Sequence, residues 1–188
     1  MKRIFFLIAS TALFACGETT TSEETEAPAA QAANVEELIE AADSAGFIAN
    51  DETQALQLYQ EAVESAPENA GIIRARADYH LYLEAWMAAL SDYKKAIELD
   101  PFDVEAHFFA GMCHEELNNS KSALELYSQT IALDSTYANA YFSRGKLLIK
   151  LGKKEEGCPD LYRADSYGNS EIYFNLLDSL CIKGKEAS

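Results

Sequence analysis

The chain has 188 residues, 48% of them hydrophobic, which suits one domain with a real core plus a tail. Its formal net charge is −16, unevenly spread: no Lys or Arg lies between Arg3 and Arg74, while thirteen carboxylates run from Glu18 to Glu68. Such a surface repels a phosphate backbone and argues against nucleic acid as a partner; it is either a plain solvated acidic surface or one that prefers basic partners.

At the amino terminus, Lys2 and Arg3 precede an apolar run of twelve residues, 4–15, and Cys16 follows at once. A charged start, a short apolar stretch and a small residue before the cut site describe a secretory signal. The run is well short of the ~20 residues that cross a bilayer as a helix. Its end, Leu13-Phe14-Ala15-Cys16, resembles the lipobox of bacterial lipoproteins, departing from it at Phe14, where a small residue is usual. The resemblance implies a signal peptide at 1–15, diacylation of the Cys16 thiol and cleavage before it. Several acyl chains, at ~0.8 kcal/mol per buried methylene, would then hold the protein to a membrane. An uncleaved anchor is the rival reading. Residues 16–33 contain no large apolar side chain and cannot offset an ordering cost of ~1–2 kcal/mol per residue, so they read as a disordered acidic tether rich in Thr, Glu and Ala. By lipoprotein analogy the location is the bacterial cell envelope, and the lack of Asp after Cys16 favours the outer membrane.

From about residue 34 the sequence repeats itself. Ala55-Leu56-x-x-Tyr59-x-x-Ala62 returns as Ala89-Leu90-x-x-Tyr93-x-x-Ala96 and as Ala123-Leu124-x-x-Tyr127-x-x-Thr130, at steps of 34 residues. A worn fourth copy carries Gly157, Cys158, Leu161 and Ala164. Pro67 and Pro101 are in register, with Ser135 in place of the next proline. Upstream in each unit lies a second series at helical spacing: Ile73, Arg76, Ala77 and His80, then His107, Ala110, Gly111 and His114, then Tyr141, Arg144, Gly145 and Leu148. This pattern resembles the tetratricopeptide repeat over about residues 36–169. The resemblance implies an all-α fold, an α-solenoid of about four helical hairpins plus a C-terminal capping helix. Small residues at Ala89, Gly111, Ala123 and Gly145 suit two helices approaching to ~8–10 Å, and proline suits the end of each second helix. One hairpin cannot bury its own apolar face, so neighbours must stack.

The repeat domain is expected over 34–183, with units at 36–69, 70–103, 104–137 and 138–169, a cap at 170–183 and a tail at 184–188. Helices are expected at 35–46, 52–66, 70–83, 86–99, 103–117, 120–133, 137–151, 158–167 and 170–183. Asp51 with Gln54 resembles a capping box. The leading helix of the first unit is poorly formed, because Asp43 and Gly46 occupy places where a small residue and an aromatic belong. Pro159 suits the first position of a helix starting near Cys158. In the cap, Ile172, Leu176, Leu177 and Leu180 share one side.

The helix 158–167 rises roughly 14 Å and the return from 170 to 181 roughly 17 Å, so antiparallel packing brings Cys158 and Cys181 to similar levels. Outside the cytoplasm such thiols tend to oxidise, and a Cys158–Cys181 disulfide is expected; two buried thiols are the alternative. Cys113 is left as a small core residue.

No catalytic motif is present, and the chain does not read as an enzyme. The histidines, His80, His107 and His114, fall at repeat places filled by large core rings, and their spacing with Cys113 fits no metal-ligand pattern. Neither a metal nor a cofactor is expected. In the tetratricopeptide family the leading helix of each hairpin lines a concave groove. At those places stand Arg74, Asp78 and Tyr82, then Phe108, Phe109, Met112 and Glu115, then Phe142, Lys146 and Ile149. Aromatic anchors with Arg are typical of binding surfaces, unless the tether or the first hairpin covers them. Glu105, Phe108 and Met112 stand where a carboxylate clamp of Lys and Asn would need polar or basic groups, which disfavours chaperone-tail binding. Arg144, Lys146, Lys150, Lys153 and Lys154 form a basic cluster. It reads as a solvated face, or as one that meets an anionic membrane, an acidic neighbour, or the acidic front half of a second copy. The expected function is a lipid-anchored adaptor or scaffold that binds a peptide or helix of another protein. The alternative is an accessory that docks an envelope enzyme such as a cell-wall hydrolase.

Overall fold

The computed structural model describes residues 27–168 and 171–182. The signal segment, Cys16 and the tail 184–188 lie outside the described residues. Within them every regular element is helical, in the order α1 Ala27–Asp43, α2 Glu52–Ser65, α3 Ala70–Tyr82, α4 Trp86–Leu99, α5 Val104–Glu116, α6 Ser120–Leu133, α7 Ala138–Lys150, α8 Lys154–Gly168 and α9 Glu171–Leu177. None of them is long and apolar enough to cross a membrane. The helices pair as hairpins α1/α2, α3/α4, α5/α6 and α7/α8, and each hairpin packs on the next.

The 34-residue step is written into the backbone. The second helices begin at Glu52, Trp86, Ser120 and Lys154, each 34 residues after the last. The link inside each hairpin passes through a left-handed residue at the same interval: Asn50 (φ 56°), Glu84 (φ 55°), Asn118 (φ 60°) and Gly152 (φ 80°). In three units the residue after it donates its N–H five positions back, from Ala85 to His80 O (2.9 Å), Asn119 to His114 O (2.8 Å) and Lys153 to Leu148 O (2.9 Å), closing the last turn of the leading helix. Asn and Gly take this backbone at little cost; Glu84, with a Cβ and no short polar side chain, takes it under strain. Glu84→Gly should therefore raise the stability by about 1 kcal/mol. A thermal melt checks it, and an unmoved midpoint would show that the left-handed turn carries no strain.

The first unit obeys the same plan with one residue added. After α1 a π-helical turn, Ser44–Ile48, widens the coil, and Asp51 N–H reaches back six positions to Ala45 O at 2.8 Å. The insertion shifts α1 by one place, so Ala42, fully buried, fills the small-residue position that the 34-residue count gives to exposed Asp43. Gly46 then lies against the Tyr79 ring, where an added Cβ would come within 2.3 Å of it. α1 also starts earlier than expected, at Ala27, inside the stretch read as tether: Ala27-Pro-Ala-Ala-Gln-Ala-Ala33 is rich in the best helix former.

Small residues let the helices meet. Ala77, Ala89 and Ala123 are fully buried. An added Cβ at Gly111 would lie 2.8 Å from the Tyr127 ring. Gly145 and Gly157 face each other backbone to backbone, each added Cβ falling 2.8 and 2.6 Å from the other's carbonyl oxygen. Between units, the turn closes identically with or without proline: Asn69 N–H to Ala66 O (3.1 Å), Asp103 to Asp100 O (3.3 Å) and Tyr137 to Asp134 O (3.2 Å). Where Ser135 replaces proline, the Asp134 carboxylate holds the turn by accepting from Thr136 N (2.8 Å) and Oγ1 (2.7 Å). Asp51 caps α2 through Gln54 N at 3.0 Å.

Pro159 is not at a helix start. α8 begins at Lys154, as the repeat step dictates, and the proline sits inside the helix. The Gly152 turn ends α7 early enough for Lys153 O to accept from Gly157 N–H at 3.0 Å and launch the new helix. The cap is α9 followed by a second π-helical turn, Asp178–Ile182, rather than one continuous helix. Leu177 and Cys181 bury against Leu161, with Leu176 and Leu180 partly buried, while Asn175 and Ser179 face outward. A disulfide joins Cys158 to Cys181 across 5.8 Å between Cα atoms.

Candidate protein-binding groove

The leading helices lie side by side, and their shared face is laced by contacts from one unit to the next. Arg74 on α3 reaches Asp103 (3.0 Å) and Glu105 (2.9 Å) at the start of α5, and Asp78 (3.3 Å) on its own helix. Lys146 on α7 lies 3.5 Å from Glu115 on α5. Tyr173 on α9 donates to Asn139 on α7, and its ring lies 4.8 Å from that of Phe142, tilted by 36°.

A second set of bonds runs from the core to this face. Tyr59, Tyr93 and Tyr127, 34 residues apart and almost wholly buried, each donate a hydroxyl to a carboxylate on a leading helix. Tyr59 bonds Asp43, Tyr93 bonds Asp78 at 2.7 Å and Tyr127 bonds Glu115 at 2.9 Å. Burial, reinforced by these carboxylates, pushes all three phenols far up, so they stay protonated donors. Burial also raises the Asp78 carboxyl, against the opposing pull of the Tyr93 hydroxyl and Arg74. In the fourth unit Leu161 takes the tyrosine's place.

The residues marked for the groove divide by exposure. Tyr82 is half exposed and Lys146 exposed. Arg74, Asp78, Phe109, Met112 and Glu115 are partly open. Phe108 is a correction: at 5% exposure it is core, packed between Tyr127 (5.8 Å) and Tyr137 (5.2 Å). Phe142 and Ile149 are partly covered, packed against the cluster of Leu161, Leu177 and Cys181. The basic cluster is also thinner than its sequence suggests, since Arg144, Lys146 and Lys153 are each paired with a carboxylate: Asp160 (2.7 Å), Glu115 (3.5 Å) and Glu156 (3.2 Å).

The opposite side of the leading helices carries an arrangement that sequence reading missed. Arg76 grips Asp92 with two bonds, 2.8 and 2.7 Å, and also holds Gln60 in the preceding unit. Two units on, Arg144 grips Asp160 at 2.7 and 2.9 Å and holds Ser128 at 3.0 Å. Each fork ties three helices. In the unit between, the equivalent places are Ala110 and Leu126, which share an apolar cluster. The signal was available: Arg and Asp recur together at steps of 68 and vanish together at 34.

The histidines are packed among protein groups. His107 sits 3.1 Å from Pro101 O and 3.1 Å from the Gln129 side chain. Burial lowers His80, which lies 3.8 Å from Asp92, and burial lowers His114 also. Burial pushes the Cys113 thiol up to about 12, so it is an inert core group.

Residues 74–138 match the family model of the tetratricopeptide repeat. The chain is 18% identical to the MamA protein, whose crystal structure superimposes with a TM-score of 0.70 over 79% of this chain and 82% of that one. The fold is a tetratricopeptide-type solenoid. The first tetratricopeptide domain of Spaghetti (RPAP3) also superimposes, with a TM-score of 0.58 and 20% identity over 63% of this chain and 93% of that one. Among curated proteins, the SGT1 homolog of Oryza sativa subsp. japonica is 34% identical over 102 residues, which is 53% of this chain but only 28% of that protein. The solenoid thus corresponds to a minor part of its curated relatives' length. The Arg74 and Lys146 ladders lie on the shared face of the leading helices.

Proposed function

We propose that this chain is an adaptor that holds a peptide or helix of another protein in the concave face of its solenoid. The observation that carries the reading is a face with open apolar and charged groups together: Phe109 and Met112 partly exposed between the Arg74 and Lys146 ladders. The Spaghetti domain, similar in fold, is bound to the HSP90 peptide SRMEEVD. Here Glu105 and Glu115 occupy the groove, so an acidic tail of that kind is a poor match and a different ligand chemistry is implied.

The amino-terminal residues support a location. On their resemblance to a lipobox, the adaptor is tethered through Cys16 to the bacterial envelope, at the outer membrane, and serves assembly there.

A photo-crosslinking residue at Met112 should capture a discrete partner in cells, and one at Lys121 on the far side, 92% exposed, should not. Met112→Glu with Lys146→Glu should cut capture about tenfold while leaving helicity intact. Equal products from both positions would sink the groove. In the same cells Cys16→Ser should move the protein from the membrane pellet to the soluble fraction; no shift would remove the anchor.

A further inference from the structure

One end of the concave rim differs from the other. Taking the one-residue insertion into account, the last rim position of the four leading helices is filled by Phe47, Tyr82, Glu116 and Lys150. The first two meet edge to face at 4.8 Å. Beneath them lies buried Tyr79, 5.4 Å from Phe47 and 5.9 Å from Tyr82. Phe47 and Tyr82 are 50% and 55% exposed and neighbouring Ile48 is 83% exposed, so the aromatic patch is open among the described residues.

The patch sits in a field of one sign. Asp51 and Glu52 open α2 just after Phe47 and Ile48, with Asp51 N–H bonded back to Ala45 O at 2.8 Å; burial raises the Tyr79 hydroxyl, and Glu52 and Asp51 add to the rise. The first hairpin contains no Lys or Arg at all, since none occurs before Arg74 after Arg3. Open aromatic faces ringed by carboxylates attract a cation that can lie on a ring and pair with an acid at once. A purely apolar partner would bury those carboxylates unpaired, and an acidic one would be repelled. The chain's own segment 16–26 carries Glu18, Glu23, Glu24 and Glu26 and no basic residue, so it has the wrong charge to cover the site.

We infer that the N-terminal end of the groove receives a basic segment of the partner protein, with an Arg or Lys side chain seated on Phe47 and Tyr82 and paired with Asp51 or Glu52. This rests on the adaptor reading and names the chemistry of its ligand.

The test is fluorescence anisotropy on the full chain with a labelled peptide of alternating Arg and Leu, and with the same peptide carrying citrulline, or Glu, for Arg. The Arg peptide should bind about tenfold tighter than the citrulline peptide, and added salt should narrow the gap. Phe47→Leu with Tyr82→Leu keeps the apolar area but removes the ring faces, and should lower Arg-peptide affinity about tenfold at unchanged helicity. Glu52→Gln should weaken it further. Equal binding of the Arg and citrulline peptides, or an undiminished double-Leu variant, overturns the inference. If Met112→Glu with Lys146→Glu then abolishes binding, the groove survives and only this subsite fails; if neither set matters, both fail. A salt-sensitive dimer lost in the double-Leu variant, with no peptide binding, would give the patch to a second copy and overturn the basic-partner assignment.

Discussion

Asp92→Leu alone should destabilise the solenoid by about 4 kcal/mol, whereas Asp92→Leu combined with Arg76→Ala should restore most of that loss. The fork is largely desolvated, with Arg76 and Asp92 side chains only 17% and 10% exposed. Removing the acid strands a guanidinium beside Gln60 alone, and a buried charge without its counter-charge is far costlier than the intact pair is favourable. The double change writes into the second unit what the third already has, Ala110 and Leu126, both in the apolar cluster around Tyr93 and Cys113. Denaturant titrations of the wild type, both singles and the double give the coupling directly. A single-variant loss below about 1 kcal/mol would mean that water reaches the guanidinium and that the fork is a surface pair.

Reduction of the Cys158–Cys181 bond, or its replacement by two alanines, should cost roughly 3 kcal/mol for a closure of 23 residues. The loss should be local. α9 and its π-helical turn pack mainly on α8 and on Phe142, at the end of the described stack. Hydrogen exchange should therefore quicken in α9 and at Phe142 under reductant, while amides of α3 to α6 keep their protection. Uniform acceleration along the stack would show instead that the end governs the whole, and an unchanged profile would show that Leu177 and Leu161 hold the cap without the sulfur bridge.

The architecture was legible because a solenoid repeats its instructions. Ala55, Ala89 and Ala123 with Tyr59, Tyr93 and Tyr127 mark the seam and the filling of three successive hairpins, and the same count places the second-helix starts at Glu52, Trp86, Ser120 and Lys154. Where sequence reading went astray, a local rule displaced that count. Pro159 suggested a late start for α8, but a helix can carry a proline just past its first turn with the loss of one backbone bond. Asp43 seemed misplaced because spacing cannot announce a π-helical turn; only the buried Ala42 and the bond from Asp51 to Ala45 show the added residue.

The groove was read less well than the fold. Periodicity assigns Phe108 to the leading-helix face, yet whether a ring there meets a partner or a neighbouring unit depends on Tyr137, which arrives from the following turn. The Arg76 and Arg144 forks were hidden for a different reason. Inspected singly, each arginine is a polar residue in an apolar series; only comparison between units reveals that each travels with an aspartate 16 residues on.

The placement of those forks has a thermal consequence. The ion pairs Arg76–Asp92 and Arg144–Asp160 tie the two helices of the second hairpin and of the fourth, whereas at the matching places of the third, Ala110 and Leu126, only carbon meets carbon. Warming lowers the desolvation cost of such ion pairs, while apolar attraction only levels off. The hairpins of the array thus answer to heat differently, and warming need not loosen them together.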